Sequence, residues 1–316
     1  MPSIRAALLA LLALTPAVAA AGTVDLSFVF DLATVNGRLP SSWARLSYDR
    51  EHQEVFVLHA GVVRVFNQAG MEIHRFGDDG DLGGIEAVAP LDSGEILVLS
   101  NVDGHRKILR CNFRGERVGE LKLSGLPPAV EAAFEPETMV HQGRTLYLWD
   151  ARHRTAVALD EDGRFLREYR LDELVKTDPR KRADSAVFGF GVDADGDLLF
   201  TMPMIFTAFV ISPSGEVRSF GKRGSAPGRF NVVGAITSDE KGNLFLTDRL
   251  RCVVMIFDRS FQFLGEFGYR GEDDGELIMP SDLVVANDLV FVAQAAERGV
   301  RVYRVKWAEP VGPATK

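Results

Sequence analysis

A short apolar segment after a polar turn recurs six times along the chain, and this repetition limits the possible folds more than any other feature. The segments are Val55-Phe56-Val57-Leu58, Ile96-Leu97-Val98-Leu99, Leu146-Tyr147-Leu148-Trp149, Leu198-Leu199-Phe200-Thr201, Leu244-Phe245-Leu246-Thr247 and Leu289-Val290-Phe291-Val292. Their starts are 41, 50, 52, 46 and 45 residues apart. Each is too short for a helix and is bounded by Gly, Asp or Asn, so each is a strand. The runs are almost continuously apolar, as in sheets covered on both faces.

A second apolar strand follows each of these after a brief loop: Val63–Phe66, Lys107–Arg110, Ala156–Leu159, Phe209–Ile211, Val254–Phe257 and Val300–Tyr303. Four of them run into turns of one pattern: Asn67-Gln68-Ala69-Gly70, Asn112-Phe113-Arg114-Gly115, Asp160-Glu161-Asp162-Gly163 and Ser212-Pro213-Ser214-Gly215. Glycine in the fourth place supplies the positive φ that such a hairpin needs. Further strands end in Phe76-Gly77, Phe220-Gly221 and Phe267-Gly268. A period near 45 residues with four strands per unit is the signature of a β-propeller blade. The sixth unit has no fourth strand, whereas Val24 to Leu32 is a strand with no unit of its own. Pairing the two closes the ring and removes two exposed sheet edges. The expected fold is therefore all-β, a six-bladed propeller closed by its N-terminal strand.

The bulk properties agree with one large soluble unit. Of the 316 residues, 46% are hydrophobic and 25% charged, with a formal net charge of −8. An acidic surface disfavours nucleic acid and anionic lipid, and the only basic cluster, Arg180-Lys181-Arg182, is short. Residues 1–21 have the order of a secretory leader. Arg5 is followed by the apolar stretch Ala6–Leu14, the breaker Pro16 and small-residue cleavage positions at Ala17-Val18-Ala19 or Ala19-Ala20-Ala21. The apolar stretch falls short of the roughly 20 residues that span a bilayer. No cysteine follows it, and no Asn-x-Ser/Thr sequon occurs. The expected product is a bacterial periplasmic or secreted monomer without membrane insertion once the leader is removed. Its propeller occupies residues 22–307, and a tail covers residues 308–316. Cys111 and Cys252 fall in the second and fifth units, across the ring from each other, beyond disulfide reach.

The linkers carry a resemblance. Gly221-Lys222-Arg223-Gly224-Ser225-Ala226-Pro227-Gly228-Arg229-Phe230 resembles the linker of NHL repeats, and Gly268-Tyr269-Arg270-Gly271 with Gly275-Glu276-Leu277 and Pro280 is similar to it. Leu146–Asp150 and Leu244–Asp248 resemble that family's second strand with its terminal Asp; units one, two and four carry His59, Ser100 and Met202 there instead. The resemblance implies a six-bladed NHL-type propeller. It leaves function open, because propellers of this kind include binding scaffolds, lyases and lactonase-like enzymes.

In such a ring the linkers and the second-to-third-strand loops share one face. Arg45, Glu86, Glu137 and Asp282 begin the innermost strands and are expected at the channel mouth there. Asp150, Asp248 and Asn101 form a second ring in the loops. Convergent carboxylates could hold a divalent cation such as Ca²⁺. The competing role for Asp150 and Asp248 is to accept backbone N–H bonds within turns. His59, His105 and His153 lie on the same face, but two of them sit late in their loops, and no metal ligand set is assigned. The fourth unit departs from the pattern: Met202, Met204, Ile205 and Phe206 make its loop apolar, and the long charged linker Asp172–Val187 precedes it. That loop is either a recognition surface or packing beneath the linker. No catalytic residues or resident cofactor are assigned. The expected function is non-catalytic binding of a protein partner or small ligand on one propeller face. The alternative is a metal-dependent lactonase- or lyase-like enzyme with its site at the channel mouth.

Overall fold

A computed structural model describes residues 24–175 and 186–307. The expected leader and C-terminal tail lie outside these residues, as does the middle of the long linker. The first strand, β1 (Val24–Asp31), is followed by a small hairpin, β2 (Ala33–Thr34) and β3 (Gly37–Arg38). Blade 1 comprises β4 (Arg45–Asp49), β5 (Glu54–His59), β6 (Val62–Phe66) and β7 (Glu72–Phe76). Blade 2 comprises β8 (Gly84–Pro90), β9 (Ile96–Val102), β10 (His105–Cys111) and β11 (Arg117–Leu121). A short helix, α1 (Pro128–Glu131), leads to blade 3: β12 (Thr138–Gln142), β13 (Thr145–Asp150), β14 (Thr155–Asp160) and β15 (Phe165–Arg170).

One helical turn, α2 (Leu171–Leu174), then opens the long linker. Blade 4 has β16 (Phe188–Val192), β17 (Leu198–Met202), β18 (Thr207–Ile211) and β19 (Val217–Phe220). Blade 5 has β20 (Val233–Ser238), β21 (Leu244–Asp248), β22 (Val253–Phe257) and β23 (Phe263–Gly268). Blade 6 has β24 (Asp282–Ala286), β25 (Leu289–Ala293) and β26 (Val300–Trp307), with β1 as its fourth strand. All pairings are antiparallel, and the first strands of successive blades touch around the ring.

The apolar runs are explained by six hydrophobic clusters, each lying in the joint between two neighbouring blades. Alternation along a strand sends successive side chains to opposite joints. In β13, Leu146 and Leu148 pack toward blade 2, while Tyr147 and Trp149 pack toward blade 4. In β5, Val55 and Val57 pack toward blade 6, and Phe56 and Leu58 toward blade 2. Both faces of each blade are thus core, at roughly 1.5–3 kcal/mol for each large side chain buried. The turn glycines fit this arrangement. Gly115 has φ +77, and a Cβ there would stand 2.1 Å from the Phe76 ring of the preceding blade. Asn112 Oδ1 meanwhile accepts N–H bonds from Arg114 and Glu116.

Ring closure follows the expected plan. β1 pairs with β26 from Val24↔Trp307 to Asp31↔Arg301. Phe28 meets Tyr303 edge-on at 6.3 Å, and the buried Arg301 Nε donates to Asp31 Oδ1 at 3.0 Å. Cys111 and Cys252 are both buried and free. Burial pushes the Cys111 thiol up to about 11.

Candidate ligand site at the channel mouth

The six first strands surround a central cavity of about 480 Å³. Its walls are mostly small or apolar: Leu46, Ala87, Val140, Ala235 and Leu283 among them. Polar groups gather at the two ends. Near the far end Arg50 lies 3.7 Å from Glu240, and His141 Nε2 lies 3.1 Å from Glu161.

At the linker-face end, Arg45, Glu137 and Asp282 line the cavity; Glu86 lines an adjoining recess with Arg45, Glu137, His59 and Arg106. Arg45 leans across from blade 1 and donates to Glu86 O (2.9 Å), Glu137 O (2.7 Å) and Thr138 Oγ1 (3.2 Å). Its charge is thereby met by carbonyls and a hydroxyl rather than a carboxylate. Glu86 instead binds Arg106 Nε at 2.7 Å, which raises the Arg106 pKa.

Asp282 joins the two ends of the ring. Its Oδ2 accepts from Leu46 N at 2.8 Å, and its Oδ1 from Leu283 N at 2.9 Å. Burial in the channel wall pushes the carboxyl up to about 6, against the opposing pull of these N–H groups and of Arg45 and Arg249.

Three further residues complete the rim. Arg249, just past the end of β21, places its guanidinium 5.1 Å from the Trp43 ring and 5.2 Å from the Phe188 ring. Trp43 belongs to the joint between blades 6 and 1, and Phe188 to blade 4, so the stack reaches across the mouth. Burial lowers the Arg249 pKa, and Asp282 opposes that. The Thr201 hydroxyl fixes the Phe188 segment by donating toward Phe188 O (2.8 Å) and Gly234 O (2.6 Å). β16 and β20 come so close here that a Cβ on Gly189 would stand 2.4 Å from Gly234 O.

The second ring lies elsewhere. Asp150 is fully buried and accepts from Glu135 N (2.8 Å) and His153 N (2.9 Å), with His153 Nδ1 at 2.8 Å. Asp248, equally buried, accepts from Asn231, Val232, Leu250 and Arg251 N–H groups at 2.7–3.2 Å. Both carboxylates therefore tie a linker to its blade. Gln294 does the same in blade 6 by accepting from Ile278 N at 2.8 Å. His105 is exposed, and His59 lies in the recess. Among the described residues, no three His, Cys, Asp or Glu side chains converge as metal ligands.

The apolar loop of blade 4 divides by residue. Met202 is 1% exposed, and it packs with Leu171, Val175 and Trp149, while Ile205 and Val187 border the same cluster. Pro203–Ile205 forms one 3₁₀ turn, and Phe206, at φ +56, stacks under Arg223 at 5.1 Å. Met204, at 62% exposed, is the outward member. Nothing in the sequence pointed to Trp43, Phe188 or Arg249: Trp43 and Arg249 sit at linker and loop positions whose direction the strand repeat does not set, and Phe188, which begins β16, is apolar like the core positions of its blade.

These features define a six-bladed β-propeller with a polar-rimmed central cavity. No protein-family model matches the chain, and no curated protein matches it in sequence. Solved structures share its fold. A streptogramin B lyase superposes with a TM-score of 0.59 at 15% identity, over 90% of this chain and 98% of that one. A gluconolactonase from Xanthomonas campestris gives 0.56 at 12% identity, over 92% and 94%. A protein of unknown function from Bacteroides thetaiotaomicron gives 0.63 at 11% identity, over 90% and 76%. At such identities the likeness is one of fold.

Proposed function

We propose that the chain is an exported, NHL-type binding propeller, periplasmic or secreted and monomeric, that takes a small ligand into the linker-face end of its central cavity without transforming it. The observation that carries this reading is the rim itself: an arginine with two aromatic rings about 5 Å from its guanidinium, beside a carboxyl whose pKa burial raises, at the mouth of a cavity of about 480 Å³. Concave sites with apolar walls and a few convergent polar groups are the usual form of small-molecule sites. The streptogramin B lyase and the gluconolactonase keep a metal-dependent lyase- or lactonase-like enzyme as the competing reading. Against it stand Asp150 and Asp248, the carboxylates such a site would draw on, whose oxygens already serve backbone N–H groups.

Crystals soaked with a chemically mixed set of neutral, anionic and cationic fragments test the proposal. Fragments are expected in the cavity beneath Trp43 and Phe188. Fragments confined to outer surfaces, or none bound at all, would reject it.

A further inference from the structure

We infer that the linker-face rim is a carboxylate site, in which the N–H edge of Arg249 and the hydroxyl of Ser281 receive a small monocarboxylate whose flat apolar body lies against Trp43 or Phe188. This deepens the small-ligand reading above and rests on it.

The Arg249 guanidinium carries apolar partners against it, the Trp43 and Phe188 rings at 5.1 and 5.2 Å, which leaves its N–H edge for hydrogen bonding. Its Nε is buried and has no hydrogen-bond partner among the described residues, and the same holds for Ser281 Oγ. Both residues line the cavity. Thr247 Oγ1, also buried without a partner, lies near Arg249 Nε: a Cβ on Gly234 would stand 2.8 Å from the one and 3.2 Å from the other. Buried polar atoms are rarely left unpaired, and the two that belong to residues of the cavity wall, Arg249 Nε and Ser281 Oγ, call for an acceptor.

The charges agree on the kind of acceptor. Asp282, the nearest carboxylate in the wall, spends both oxygens on the N–H groups of Leu46 and Leu283. Among the described residues Arg249 makes no ion pair, and Asp282 acts on it at longer range. On the opposite side of the mouth Arg106 pairs with Glu86 at 2.7 Å. Arg45, though without a carboxylate partner, is held by two carbonyls and a hydroxyl, whereas the Arg249 guanidinium has no hydrogen-bond partner among the described residues. The planar fork of a guanidinium matches a carboxylate edge to edge. A dianion such as a phosphate monoester would meet stronger repulsion from Asp282, next in sequence to Ser281. The half-exposed rings of Trp43 and Phe188 provide flat walls for an aromatic or unsaturated body.

Calorimetry on the full-length protein with benzoate and with its neutral isostere benzamide tests this assignment. Benzoate is expected to bind, and benzamide to bind roughly 10- to 100-fold more weakly, the cost of losing a charge-assisted bond. Arg249→Gln should weaken benzoate by a similar factor without affecting benzamide. Ser281→Ala leaves the Arg249 stack intact and should weaken benzoate by a smaller factor, so the test survives if Arg249→Gln fails to fold. Equal affinity for benzoate and benzamide, or undiminished benzoate binding by folded Arg249→Gln, would overturn the carboxylate site. Neutral or cationic fragments in the cavity with benzoate excluded would reject this assignment alone and leave the small-ligand reading standing. An empty cavity with every fragment class would reject both.

Discussion

Asp282 joins the chemistry of the mouth to the stability of the ring. Its folded carboxyl titrates at about 6 because burial disfavours the anion, whereas the unfolded chain titrates near 3.8. The folded state therefore binds this proton more tightly. The contribution to stability is complete below about pH 4 and is lost as pH rises through about 6. Its size is on the order of 3 kcal/mol. Asp282→Asn cannot ionise, so its urea midpoint should change less between pH 4 and 7 than that of the unsubstituted protein. Equal pH dependence in the two proteins would show that Asp282 titrates normally. Asp282, Arg45 and Glu137 were legible as rim residues because the repeat register places the start of each innermost strand. Trp43, Arg249 and Ser281 were not, because the strand repeat does not set side-chain direction in a linker or loop; Phe188 does begin an innermost strand, but an apolar residue there is not distinguished from core. The terminal Asp residues were legible by type, and their turn-binding role is visible only in their N–H partners.

Two elements carry predictions of their own. β1 brings Phe28 against Tyr303, Asp31 against Arg301 and the fully buried Leu32 into the joint between blades 6 and 1. Deleting residues 24–32 removes several large buried groups, each contributing roughly 1.5–3 kcal/mol. It also leaves β26 as an open edge. The deletion variant should melt on the order of 10 °C lower and form concentration-dependent oligomers. A monomer with unchanged melting temperature would show that the ring does not depend on β1. In the blade 4 loop, Met204→Asp faces solvent and should alter stability by no more than about 0.5 kcal/mol. Met202→Asp places a charge in the joint between blades 3 and 4 and should cost several kcal/mol. Thermal melts that rank the two in the reverse order would contradict the packing of this loop. Sequence composition marked all four apolar residues alike. It could not separate them, since alternation ends where the strand passes into the 3₁₀ turn at Pro203.

At the scale of the whole molecule, the ring is a set of six joints rather than one central core. Each blade is covered on both faces by its neighbours, and the cavity is what remains where the innermost strands meet. That architecture was legible because continuous apolar strands at a near-constant period allow few other solutions. What the cavity does was not, because lyases and lactonases share the same frame with proteins of unknown function. The rim of this chain is built from arginines and aromatic rings, with its loop carboxylates turned to backbone duty. It is therefore expected to hold a ligand without a resident metal. Elemental analysis of the purified protein, before and after incubation with Ca²⁺, Mg²⁺, Mn²⁺ or Zn²⁺ and gel filtration, tests this most directly. No stoichiometric ion should be retained; one tightly held divalent ion per chain, released only by chelation, would show a resident metal and overturn the metal-free reading.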